Sequence, residues 1–266
     1  MTIYLCEPDF DGILSAVYEA WTSGKGHENV KLELDGAFRE LELFTQYVTV
    51  RTSPENARKV IRAVCGKIGR AVYEEIYIAS LSQDPGRPDK IYRFLIRAFR
   101  HGAGVLDMLQ LPEVREIFQM CRNVRHENHL LTGFVRFSQT SKGILVSRIG
   151  PKNDVLPILA PHFADRLPME SWIIYDENHR KAVVHPSRGS WAIVYADGEG
   201  YLSAQLDQDT DQEEYEALWK AFHETVAIRE RTNPICQRTH LALRYRPYMT
   251  EFQWGGEPLE PLKISK

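Results

Sequence analysis

Between residues 53 and 195 the hydrophobic period shifts from wholly helical to mainly strand-like, and this change limits the possible folds more than any other feature. Ala57, Val60, Ile61, Val64 and Ile68 recur at a 3.6-residue period, behind a Ser53 cap and a first-turn Pro54. A second helix is predicted over about 70–81 and a third over 88–101, with Ile91, Phe94, Leu95 and Ala98 on its inner side. A long helix over about 112–132 should bury Val114, Ile117, Phe118, Cys121 and Val124. The pattern then shortens. Residues 133–139 and 143–149 flank Ser141-Lys142-Gly143 as a predicted hairpin, and strands follow at 171–176, 181–185 and 190–195, after a short helix over 153–166. Helices grouped around an antiparallel sheet of about five strands mean α+β.

A smaller α/β region is expected ahead of them. Residues 2–6 read as a strand, Asp9-Phe10-Asp11-Gly12 as the turn opening a helix to Thr22, and 30–35 and 44–52 as further strands. Ser23-Gly24-Lys25-Gly26 lacks the spacing and following helix of a phosphate-binding loop. Asp84-Pro85-Gly86 is the strongest internal punctuation, dividing the chain into an N-terminal region (1–84), a core (85–250) and a tail (251–266). Near the end of the core, Asp211-x-x-Glu214 resembles a capping box, opening a helix with Tyr215, Leu218, Trp219, Phe222 and Val226 as its stripe.

Neither a signal peptide nor an apolar run of membrane-spanning length is present, so a cytoplasmic location is expected. The four cysteines share no short spacing, which argues against a zinc ribbon or an iron–sulfur cradle and for reduced, half-buried thiols. The net charge of −3 excludes a generally basic nucleic-acid protein, but the charge is segregated. Residues 87–148 hold eleven Lys/Arg against five Asp/Glu, whereas 197–216 hold eight acids and no base. Such a surface could orient a polyanion on one side, or simply be two solvated faces.

Arg93, Arg97 and Arg100 line the outer face of the third helix, where guanidinium forks suit phosphate. Arg115, Arg122, His126 and His129 continue along the next helix. His126, Glu127 and His129 do not have an established metal-ligand spacing, so no metal and no cofactor are expected. Glu127, His129 and His162 are candidate acid–base groups, although hydrogen bonding of the following hairpin explains Glu127 and His129 with less. Strand alternation would put Phe134 and Arg136 on one face, as in surfaces that stack unpaired bases or in a packed cation–π pair. Trp172 and Asp176 pose the same choice. Asp9 and Asp11 could hold a divalent ion, but a helix cap explains them with less. No nucleophile elbow is present.

Asp9-Phe10-Asp11-Gly12, Tyr92-Arg93-Phe94-Leu95, Glu127-x-His129, Gly133-Phe134-x-Arg136-Phe137, Pro161-His162-Phe163-x-x-Arg166, Trp172 and Asp176 occur in this order. With Trp219, Arg231-x-Asn233-Pro234 and Arg244-Tyr245, this series resembles the bacterial "probable DNA metabolism protein" family from Tyr4 to about Glu251. That family is similar to a domain fused to the C-terminal side of uracil-DNA-glycosylase-like proteins. Its stand-alone members are associated with a radical-SAM protein described as a putative DNA repair or modification enzyme. Leu130 stands where the family pattern often has a basic residue.

The resemblance implies a DNA-binding or accessory subunit of a radical-SAM partner in DNA repair or modification, with the radical-SAM or glycosylase chemistry belonging to a partner. Arg93, Arg97, Arg100, Arg122 and Arg136 are the expected phosphate contacts, Phe134 the base-stacking residue, and His129 with Glu127 and His162 with Arg166 the groups shaping the site. The alternatives are a nucleic-acid-processing enzyme using Glu127, His129 or His162, and a protein-binding adaptor that never touches DNA.

Overall fold

A computed structural model describes residues 1–36, 43–195 and 241–249. The described residues form two compact units: Met1–Glu127 with Lys152–Asp154, and Asn128–Pro151 with those from Val155 onward. The architecture is α+β.

The first unit begins with β1 (Thr2–Cys6), every residue of which is buried. Its parallel neighbours β2 (Val30–Leu34) and β3 (Gln46–Thr49) give the order β2-β1-β3. A run of apolar residues without alternation suits a central parallel strand covered on both faces. Between β1 and β2 lies α1 (Phe10–Thr22), capped by Asp9, whose carboxylate accepts the Gly12 N–H at 2.6 Å. A Cβ on Gly12 would stand 2.7 Å from the Glu7 carbonyl oxygen, so only glycine fits this turn. The Asp9 carboxylate therefore serves as the helix cap.

After β3 come α2 (Pro54–Lys67), capped by Ser53, then α3 (Arg70–Ser80), α4 (Arg87–His101) and α5 (Pro112–Phe134). The Ser15 hydroxyl accepts the Ser53 N–H at 2.9 Å and donates to the Asp11 carbonyl at 2.6 Å, tying α1 to the start of α2. The core of this unit gathers Ile13, Leu14, Val17, Leu32, Val60, Val64, Ile76, Ile91, Phe94 and Leu95.

The second unit holds a five-stranded sheet, β4 (Ser138–Gln139), β5 (Leu145–Ile149), β6 (Trp172–Asp176), β7 (Lys181–His185) and β8 (Ala192–Tyr195), in chain order across the sheet. Three pairings are antiparallel, but β5 and β6 run parallel, with Leu145 opposite Trp172. The expected antiparallel sheet of about five strands is present, with this one parallel pairing as the exception: α6 (Leu156–Arg166) carries the chain back between β5 and β6, as a parallel pairing requires. Trp172 is fully buried, stacked on His185 at 4.9 Å and met edge-on by Phe163 and Phe137. Ile174 and Asp176, on the same face, are also buried.

Two local expectations also fail. α5 runs to Phe134, so Gly133 and Phe134 end a helix, and the predicted strand shrinks to Ser138–Gln139. Phe118 is 48% exposed, and Met120 takes the buried position instead. Both positions fit an apolar stripe centred on Ile117, Cys121 and Val124, and neighbours from outside the helix decide between them. The predicted helix opening at Asp211, the tail 251–266, and Trp219 and Arg231-x-Asn233-Pro234 of the resemblance lie outside the described residues.

Candidate nucleic-acid interface

Of the three α4 arginines expected to contact phosphate, two are engaged and one is exposed. Arg93 donates to the carbonyls of His27 and Val30, and its Nε to Asp89 Oδ2 at 3.3 Å. Arg97 reaches Glu113 Oε1 through Nε at 3.0 Å and Nη2 at 2.8 Å. Burial pushes the Glu113 carboxyl up, but the Arg97 contacts outweigh it and hold the group below its ordinary value. Arg93 ties α4 to the chain around β2, and Arg97 ties it to the start of α5. Arg100 is exposed.

The outer face of α5 offers more. Arg115, Phe118 and Arg122 follow at i, i+3 and i+7, all exposed, with Gln119, Asn123 and His126 beside them. The opposite side of the helix holds Ile117, Met120, Cys121 and Val124 in the core. Arg125, on the flank, is committed to Glu75 through two contacts at 2.6 and 3.1 Å.

Beside this face lies a cavity of about 480 Å³, whose lining includes Gln83, Gln119, Asn123 and Asn153. Glu127 organises one wall from below. Its carboxylate is 3% exposed and accepts the N–H of Lys152 at 3.0 Å, the N–H of Asn153 at 2.8 Å and the Asn153 side-chain amide at 2.6 Å. The Asn153 Oδ1 in turn accepts the Gln83 N–H at 2.9 Å. Lys90 pairs with Asp84 at 2.7 Å in the same lining, and Asp84 also accepts the Gly86 N–H at 2.8 Å. Glu127 therefore fixes the 152–153 backbone and the Asn153 amide, a positioning arrangement. The amide grouping left little trace in the sequence beyond Gln119 and Asn123 four residues apart on one helix.

The other predicted residues belong to the second unit. His129, His162 and Arg166 are exposed, and His162 stands edge-on to Phe163 at 5.0 Å. Phe134 packs on Tyr245 at 5.6 Å. Arg136 Nη1 donates to the carbonyls of Gly133 at 2.7 Å and Val135 at 3.2 Å, holding the guanidinium to the helix end. The strand alternation that would place Phe134 and Arg136 on one face does not exist, because Phe134 is helical.

Sequence reasoning also missed the partner of Asp176. Its fully buried carboxylate accepts the N–H groups of Asn178 at 3.0 Å and His179 at 3.1 Å, and lies 2.7 Å from His179 Nδ1. Asp176-x-x-His179 at a hairpin turn was the available signal. Among the described residues, no group of three or more His, Cys, Asp or Glu side chains converges to hold a metal ion. Nor does any described helix have the length and apolarity to cross a membrane.

A comparison with curated proteins finds no match, and a comparison with solved structures finds none either. Residues 85–251 match the family described as a domain of unknown function, DUF4130, and the chain belongs to that family.

Proposed function

We propose that this protein binds DNA, as a DNA-binding or accessory subunit in repair or modification, and that the outer face of α5 is its contact surface. The observation that carries this reading is Phe118, exposed between Arg115 and Arg122 on a single helix face. An aromatic flanked by guanidinium groups on one exposed helix face suits a strand with stackable bases and regularly spaced phosphates. The family resemblance adds the context of a radical-SAM partner, which would supply the chemistry. The Arg93 and Arg97 guanidinium groups are already engaged, so in this reading the phosphate contacts pass to Arg115 and Arg122, with Arg100 as a further exposed cation.

A catalytic reading has one observation in its favour, the buried Asp176 carboxylate held against His179 Nδ1. That pairing fixes the orientation of the imidazole, as the carboxylate behind a catalytic histidine does. The test of the binding reading is fluorescence anisotropy of labelled single-stranded and duplex oligonucleotides over a salt series. Micromolar affinity with a steep salt slope is expected, and loss of binding in Arg115→Glu/Arg122→Glu. Absence of binding at low salt would overturn it.

A further inference from the structure

The cavity beside α5 has the size of a ligand site and a lining that selects one class of ligand. At about 480 Å³ it falls within the range of small-molecule pockets. Its lining includes the amide side chains of Gln83, Gln119 and Asn123, together with Asn153, whose amide is already engaged by Glu127 and the Gln83 N–H. Gln119 Nε2 donates to Asn123 Oδ1 at 3.2 Å, leaving the Gln119 oxygen and the Asn123 NH₂ to face a ligand. Asn153 is fixed from behind by Glu127, so its orientation is set before anything binds.

The charges decide what can enter. Lys90 pairs with Asp84 and also feels the charge of Glu116, so the lining carries two carboxylates against one cation. A phosphate inside would meet more negative than positive charge, so the site disfavours anions and accepts a neutral polar group. Met120 supplies an apolar surface in the same lining. A flat, neutral heterocycle with a donor–acceptor edge meets all of these conditions, because carboxamides pair bidentately with nucleobase edges.

We propose that this cavity receives a single unstacked nucleobase, turned out of a strand whose phosphates lie along Arg115 and Arg122. The inference rests on the DNA-binding reading above and names the part of the nucleic acid that the protein reads. Extrusion of one base into a shaped pocket is the general means of reaching its edge inside a duplex.

The test compares a duplex bearing one unpaired base with the same duplex carrying an abasic site at that position, by anisotropy. The wild-type protein should prefer the unpaired base by about tenfold, in keeping with the usual worth of a single base contact. Gln119→Ala/Asn123→Ala should remove that preference and leave the salt slope unchanged. Both side chains are exposed, so the double variant retains the fold, which circular dichroism checks. Equal wild-type affinities, or a preference untouched by the double variant, would overturn the pocket and leave the DNA reading standing. If no oligonucleotide binds, the DNA reading falls, and NMR titration with millimolar deoxynucleosides decides the pocket. Shifts lost in the double variant would keep it as a nucleoside site, and no shifts would overturn it.

Discussion

The Glu127 carboxylate holds Asn153 twice, through the backbone N–H at 2.8 Å and through the side-chain amide at 2.6 Å. One buried acid thereby fixes both the path of a loop and the direction of an amide. Glu127→Ala would leave those donors without an acceptor, at a cost of about 3 kcal/mol, and Glu127→Gln should cost less because it keeps a carbonyl oxygen. Urea unfolding of the two variants measures the difference, and equal losses would mean that the hydrogen bonds contribute little.

Reversing Arg115 and Arg122 to glutamate should weaken oligonucleotide binding and reduce the salt slope by about one unit per lost phosphate contact. Reversing Arg97 should act on stability instead, because it sets two acids against each other at Glu113. Thermal melts of Arg97→Glu, read beside its binding isotherm, separate the two effects.

Acid should loosen the first unit through its paired carboxylates. Burial raises the Glu75 carboxyl, but the Arg125 hydrogen bonds dominate and keep it below its ordinary value of 4.5, and Glu113 behaves alike with Arg97. A depressed native value means that the stabilisation is complete above about pH 5 and is lost as pH falls through the native values. Glu75→Gln should therefore flatten the stability profile between pH 5 and 3, as followed by denaturant midpoints. An unaltered profile would assign the acid sensitivity to other groups.

Gly150 lies against Tyr248: an added Cβ would meet the phenol oxygen and stand 2.8 and 2.9 Å from two ring carbons. Gly150→Ala should be destabilising by roughly 1–3 kcal/mol, as overpacking generally is. Tyr248→Phe would not relieve it, because the ring carbons remain. Tyr248→Ala should, so a double-mutant cycle is expected to show strong coupling. Additive effects would contradict the packing.

Thiol labelling should find Cys65 long before Cys6 or Cys121. Cys65 is exposed, whereas burial pushes the Cys6 thiol up to about 12 and raises Cys121 further from its ordinary range. Mass spectrometry of the native protein after brief iodoacetamide treatment would identify the modified sites.

Local chemistry made much of this fold legible. Ser53-Pro54 marked the start of α2, and the Asp9 cap and the apolar stripe of α4 were readable from spacing alone. Failures came where partners distant in sequence decide. Nothing local distinguishes Phe118 from Met120 on a helix whose stripe borders both, and helix propagation through Gly133 overrode a strand-like alternation. The arginine stripe on α4 was visible, but the acceptors that occupy it are the carbonyls of His27 and Val30 and the carboxylate of Glu113, and nothing in the stripe's own spacing reveals them. Asn153 is remote from Gln119 and Asn123, so the amide-lined cavity had no signature in the linear order.

The parallel ladder between β5 and β6 divides the assembly of its sheet into fast and slow parts. The β4–β5 pair closes over a short loop, and β6, β7 and β8 form a meander of neighbours, so both can form from local contacts. Only the β5–β6 ladder must close a loop long enough to contain α6, and its entropy is lost before any of its hydrogen bonds form. Two quick hairpin-like pieces thus wait on one distant seam, and the rate at which that seam closes governs how long their inner edges stay open to another chain.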